Sequence, residues 1–267
     1  MISPSNPRIP ASATRVRRNS TRAPDDPARA GLGEFFDRTG TVRRPPIWRL
    51  GSEIASLLFY HPRSPKPTEK PAGASHSVLV IPAFLTSDSA TRSLRAFLER
   101  CGYRPFGWGQ GLNIGPTRQN MEKLRERLLQ LRVQQGGPIS VVGVSLGGLL
   151  ARSLAHDFPE HVLRVVTLAS PLRLPTASNI EFLLRLCARW RPPALDTLHL
   201  ASPLAVPSTA IYTCDDGIVA WETCRSDEPN CTLVQVRGPH LTICRRPEVR
   251  RELAHALATR GPMQAGS

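Results

Sequence analysis

From residue 77 onward, short apolar runs alternate with longer stretches whose apolar residues recur at helical spacing. That rhythm constrains the fold more than any other feature, because strand–helix–strand alternation builds a parallel sheet covered by helices. The pattern predicts strands at 77–82 (SVLVIP), 103–108, 139–144 (ISVVGV), 162–169, 208–214 (STAIYTC) and 231–237 (CTLVQVR). Helices are expected at 89–101, stopped by Gly102, and at 117–135, with Met121, Leu124, Leu128 and Leu131 on one face. Two more are expected at 146–157 and 247–259. Right-handed crossovers wrap such a chain into a mostly parallel, doubly wound α/β sheet.

One stretch breaks the alternation. Residues 170–207 carry two helix-like pieces, NIEFLLRLCARW and PALDTLHLA, fenced by six prolines. This segment is too long and too patterned for a simple loop, and it reads as a helical cap inserted over the C-terminal edge of the sheet. Upstream, residues 1–45 are rich in Pro, Ser, Thr and Arg without apolar periodicity, and read as a disordered basic tail. Residues 46–75 divide into an amphipathic helix, with apolar positions 47, 50, 54 and 57/58, and a Pro-rich linker. The helix is expected to pack on its own domain, with a membrane-surface anchor as the alternative. Residues 76–260 form the main domain, and 261–267 a flexible C-terminus.

Composition narrows the function classes. The 267 residues are 40% hydrophobic, enough to bury the core of one sizeable α/β domain. No apolar run reaches the roughly 18–20 residues of a membrane-spanning helix, and the N-terminal stretch lacks the apolar core of a secretory signal. A cytoplasmic protein is the resulting expectation, with peripheral contact with anionic membrane through the basic N-terminal region as the alternative. The net charge of +14 comes from 35 Lys+Arg against 21 Asp+Glu. Only Lys66, Lys70 and Lys123 are lysines, so the excess is an arginine bias, and half of it, +7, lies in residues 1–75. No basic motif interleaved with aromatics appears, so no nucleic-acid partner is expected. The six cysteines read as reduced core residues, with Cys224 and Cys231 placed to bridge only in an oxidising compartment. No CxxC pair offers a metal site.

The chemistry concentrates at Gly143-Val144-Ser145-Leu146-Gly147-Gly148, a GxSxG between a buried strand and a helix. Turning from strand to helix at one residue forces Ser145 into strained backbone geometry and leaves its hydroxyl exposed at the sheet edge. Gly143 and Gly147 are needed because a Cβ there would collide with the adjacent strand and helix. A nucleophilic serine requires a base, and the base an orienting acid. Downstream, Asp215-Asp216-Gly217-Ile218-Val219 follows one predicted strand and Gly238-Pro239-His240-Leu241 follows the last. Each lies where active sites of open α/β sheets sit, at a strand's C-terminal end. His240 is the candidate base and Asp216 the candidate acid, with Asp215 as the alternative. The other histidines fall in helix ends, the cap or the linker.

At these residues, residues 77–259 resemble the α/β-hydrolase superfamily, specifically its bacterial lipase/esterase-like branch. The matching pieces are IPAF, GWGQGLNIGP, GVSLGG, TLASP, DDGIV and GPHL. The resemblance implies an α/β-hydrolase fold and a serine hydrolase cleaving carboxylic esters of apolar or lipid-like acyl groups, through a Ser145–His240–Asp216 triad and an acyl-enzyme. It implies an oxyanion hole from the backbone N–H groups of Phe84 and Leu146, and no metal or organic cofactor. Lipases of this type usually carry His-Gly before the oxyanion residue, where this chain has Pro82-Ala83. Apolar cap residues such as Phe182, Leu184 and Trp190 are expected to line an acyl pocket in part. Two alternatives use the same residues differently: an acyltransferase, in which an acceptor other than water takes the acyl group, and a catalytically silent binding module.

Overall fold

The computed structural model describes residues 42–60, 76–173, 178–179 and 202–259, all within one unit, Phe35–Ser267. The basic tail, the Pro-rich linker and most of the cap, including its apolar residues, lie outside the described residues.

Six strands, β1 (Ser77–Ile81), β2 (Arg104–Gly107), β3 (Ile139–Val144), β4 (Val162–Leu168), β5 (Ser208–Thr213) and β6 (Cys231–Val236), form one sheet. Their order is β2-β1-β3-β4-β5-β6 and every pairing is parallel. Each strand begins or ends within two residues of its sequence expectation. Among the described residues the α-helices are α1 (Trp48–Phe59), α2 (Asp88–Arg100), α3 (Arg118–Gln135), α4 (Leu146–Asp157) and α5 (Pro247–Ala258).

Strand periodicity divides the core in two. Val78 and Val80 of β1, with Val142 and Val144 of β3, pack against Leu94, Phe97 and Leu98 of α2 and Val249 and Leu253 of α5. The intervening Leu79 and Ile81, with Ile139 and Val141, pack against Leu124, Leu128 and Leu131 of α3 and Leu150 and Leu154 of α4. Helices on both faces explain why β1 and β3 read as unbroken apolar runs rather than as alternating ones.

Local chemistry sets the helix ends. The Ser87 and Thr117 hydroxyls cap α2 and α3 by accepting N–H groups of their first turns. Gly136, at φ 72°, ends α3 in the left-handed conformation. His76, at the start of the main domain, contacts the Ser140 hydroxyl across 2.8 Å and packs edge-on to Tyr103.

Helix α1 packs on its own domain, but only in part through its apolar stripe, since Leu50 alone of that stripe is half-buried, against Tyr212, Ile218 and Val219. Ile47, Trp48, Ile54, Leu58 and Phe59 are exposed. Its one buried residue is Glu53. Among the described residues no helix is long and apolar enough to cross a membrane. The five described cysteines, Cys224 and Cys231 among them, are free thiols.

Candidate active site

Four loops at the C-terminal ends of β1, β3, β5 and β6 converge on one point, beside the crevice where the order of the first strands reverses. Open α/β sheets place their ligands at that crevice. At its centre is Ser145, at φ 51° and ψ −120° between β3 and α4. A non-glycine residue in that region stores on the order of 1–3 kcal/mol, and the surrounding packing must hold it there. The Ser145 N–H donates to the Leu168 carbonyl at 2.8 Å, and its own carbonyl accepts from Gly148 at 2.9 Å.

The two elbow glycines sit at close approaches of backbone. A Cβ on Gly147 would lie 2.5 Å from the Ile81 carbonyl oxygen and 2.7 Å from that of Pro82. One on Gly143 would strike the Gly147 carbonyl. Their absence lets α4 start directly against the end of β1.

His240 opens a 3-10 turn, His240–Arg245, after β6. Its Nε2 lies 3.0 Å from Ser145 Oγ and its Nδ1 lies 2.6 Å from Asp216 Oδ2. The other Asp216 oxygen accepts the Ile218 and Val219 N–H groups, each at 2.8 Å. Ser145, His240 and Asp216 are all buried. Asp215, the alternative acid, is exposed and accepts instead from the Gly238 N–H at 2.9 Å. Adjacent residues on this turn point in opposite directions, so one carboxylate holds the loop and the other meets the imidazole. Burial disfavours the charged imidazole of His240. The Asp216 carboxylate, by charge and by hydrogen bond, and the Glu53 charge outweigh burial and raise its pKa above the ordinary 6.5.

The loop after β1 carries Phe84. Leu85 beside it sits at φ 55°, and a buried asparagine holds the loop. Asn113 Nδ2 donates to the Pro82 carbonyl at 2.7 Å, and the Asn113 backbone pairs with Leu85 and Thr86 at 2.7 and 2.8 Å. Asn113 is the residue of the GLNIGP segment that braces this loop. Sequence reading noted that segment only as a likeness and assigned it no role. Among the described residues no hydrogen bond engages the Phe84 or the Leu146 N–H. An N–H left over at the first turn of a helix is available to an anionic group.

A cavity of about 300 Å³ opens over Ser145. It lies at the small end of ligand pockets, and its walls are mainly apolar: Leu57 from α1, Phe84, Val144, Ile218, Leu241 and Ile243. These described walls come from α1 and the four loops, a contribution not expected from the sequence. Among the described residues no group of His, Cys, Asp and Glu is arranged to hold a metal.

A parallel α/β sheet with a strained serine at a strand–helix elbow defines an α/β-hydrolase-type protein. The family model of the α/β hydrolase fold matches residues 78–225, more than half the chain, and the chain belongs to that family. No curated protein sequence matches it. Among solved structures it resembles one described with LipS and LipT, two metagenome-derived lipolytic enzymes. That likeness has 17% identity and a TM-score of 0.53, over 69% of this chain and 95% of the other. It also resembles the lipase BlEst2 of Bacillus licheniformis in its mature form, at 16% identity and a TM-score of 0.53, over 73% of this chain and 96% of the other. Identities this low establish a shared fold. They do not carry over a substrate.

Proposed function

We propose that this protein is a serine hydrolase that cleaves carboxylic esters of apolar or lipid-like acyl groups through an acyl-enzyme. The observation that carries the reading is the continuous hydrogen-bonded chain Ser145 Oγ–His240–Asp216 beneath an apolar cavity. In this reading Ser145 Oγ attacks the ester carbonyl carbon while its proton passes to His240 Nε2. Asp216 accepts from Nδ1–H, fixing the tautomer and stabilising the imidazolium. The carbonyl oxygen becomes an oxyanion between the Phe84 and Leu146 N–H groups, each such donor contributing roughly 3–4 kcal/mol to transition-state stabilisation. Collapse breaks the C–O bond, and the leaving alkoxide takes the proton from His240. Water then attacks the acyl-Ser145 carbonyl with His240 again as base, releasing the acid and restoring Ser145.

The carboxylic-ester and acyl preferences rest on the cavity, whose apolar wall suits a hydrocarbon chain better than a charged group. The test is covalent labelling of the full chain by a fluorophosphonate probe, read by intact mass and peptide mapping, beside Ser145→Ala. Labelling confined to Ser145 and abolished in the variant is expected, followed by turnover of p-nitrophenyl esters. A folded wild-type protein that takes no label and turns over no ester would remove the reading.

A further inference from the structure

Glu53 is an anomaly in a largely solvent-facing helix, of which it is the one fully buried residue. Its carboxylate is 0% exposed, and among the described residues no cation pairs with it. Burying an unpaired carboxylate costs several kcal/mol unless strong hydrogen bonds replace its water. Three backbone N–H groups do so. Oε1 accepts from Gly217 at 2.9 Å and from His240 at 2.7 Å, and Oε2 accepts from Leu241 at 2.8 Å. Bonds of this kind to an ionised acceptor are among the stronger ones in proteins. The donors are not arbitrary. Gly217 follows Asp216, and the other two belong to His240 and its neighbour, so one carboxylate spans the loop of the acid and the loop of the base.

Two further observations point the same way. Arg49, one helical turn before Glu53, donates to the Cys214 carbonyl at 2.6 Å, fastening the same helix to the acid loop. Gly217 has no room for a side chain, since a Cβ there would lie 2.8 Å from the Arg49 carbonyl oxygen and 2.9 Å from Glu53 Cγ. The close approach of α1 is therefore written into both partners. The far ends of the two loops are joined independently, by Thr213 Oγ1 donating to the Gly238 carbonyl at 2.8 Å and Gly238 N–H donating to Asp215. Removing Glu53 thus frees the catalytic ends of the loops and leaves their roots joined.

We propose that Glu53 is a positioning residue of the active site, supplied by a helix upstream of the family-matched region. Its carboxylate holds the Asp216 and His240 loops at the separation that aligns Asp216 Oδ2, the imidazole and Ser145 Oγ. This inference rests on the hydrolase reading. The charge also acts on the imidazole. The groups that bear on His240 are Asp216 from the loop after β5 and Glu53 from α1, both favouring its protonated form, while Arg245 of its own turn lines the same cavity.

The test compares the full-length wild type with Glu53→Gln, Glu53→Asp and Gly217→Ala, using fluorophosphonate labelling rate, kcat and KM on a p-nitrophenyl ester, and a pH profile. Glu53→Gln keeps the size of the side chain but points an NH2 at an N–H donor and removes the charge. A folded Glu53→Gln is expected to lose roughly ten- to a hundredfold in labelling rate and kcat with KM within about twofold, the range a sub-ångström misplacement produces. The acid limb of its kcat/KM profile is expected to move to lower pH. Glu53→Asp, which keeps the charge on a shorter arm, is expected to return the limb toward the wild-type position while kcat recovers only partly. If Glu53→Gln does not fold, Gly217→Ala decides, because it displaces α1 with the carboxylate intact and is expected to lose kcat at unchanged KM. Wild-type labelling rate and kcat in a folded Glu53→Gln, or in Gly217→Ala, overturn the inference alone. So does a loss of kcat with the acid limb unmoved in Glu53→Gln. A folded wild type that takes no label and turns over no ester removes the hydrolase reading and this inference with it.

Discussion

Gly147→Ala is the sharpest test of how the elbow is built. The added methyl meets the carbonyl oxygens of Ile81 at 2.5 Å and Pro82 at 2.7 Å, backbone atoms at the end of a central strand that cannot rotate away. To restore an ordinary separation of at least 3.4 Å, the start of α4 must retreat from β1 by about 0.9 Å. Overpacking a rigid site of this kind costs about 1–3 kcal/mol. The retreat also separates the Leu146 N–H, on α4, from the Phe84 N–H, beyond β1, so the two donors of the proposed oxyanion hole no longer focus on one oxygen. A displacement near 1 Å in a catalytic constellation costs up to roughly a hundredfold in rate. Urea denaturation followed by fluorescence measures the first effect, and turnover of a p-nitrophenyl ester the second. Gly51→Ala is the control, because nothing lies within 4 Å of its Cβ and Ala favours the helix over Gly by about 1 kcal/mol. A Gly147→Ala protein with the wild-type denaturation midpoint and wild-type turnover would falsify this account of the elbow.

Two further predictions concern ionisable groups. In the proposed mechanism the imidazole must be neutral to accept the Ser145 proton, and its pKa is raised, so activity is expected to rise with pH through a midpoint above the ordinary histidine value of 6.5. Asp216→Asn is expected to lower that midpoint and to reduce kcat by up to roughly 10⁴-fold, and a kcat/KM profile whose limb stays in place contradicts the assignment. Arg152 on α4 and Glu228 before β6 form a buried pair at 2.6 Å, and Glu228 also accepts the Leu204 N–H at 3.1 Å. Arg152→Ala is expected to cost about 3–5 kcal/mol in urea denaturation, because it strands the carboxylate, and a cost below about 1 kcal/mol refutes that. Burial works against ionised Glu228, but the Arg152 hydrogen bond and charge prevail and lower its pKa below 4.5. Its contribution is therefore present above about pH 4.5 and is lost as pH falls through the depressed folded value.

The candidate residues differ in how far they can be read without a fold. Ser145 announces itself because the elbow is local: the strand, the strained turn and the two glycines lie within a few consecutive residues, so the steric requirement is visible in the letters. His240 and Asp216 follow from position, each just past a strand, although choosing between Asp215 and Asp216 needed the direction of two neighbouring side chains. Glu53 offers no local sign. It looks like one more polar position on an amphipathic helix, and its partners lie 164 and 187 residues further along the chain. Most of the apolar stripe of α1, Ile47, Ile54 and Leu58 among it, faces solvent. A stripe signals burial only where the surface it meets is apolar, and here the buried contact of the helix is largely Glu53 with the polar backbone of two loops. Asn113 was hidden for the same reason, since its partners are backbone groups of a loop near Pro82, 31 residues upstream.

Local sequence alone thus determined the strand and helix order, the parallel sheet and the elbow serine. Those features depend on periodicities and steric demands that operate within a single element. Only the tertiary structure decided which carboxylate meets the imidazole, what lines the described walls of the cavity and what braces the loops. Those outcomes depend on buried polar groups finding backbone partners across the chain, and the energy of such a bond depends on distance and burial, neither of which is encoded in the spacing of residues.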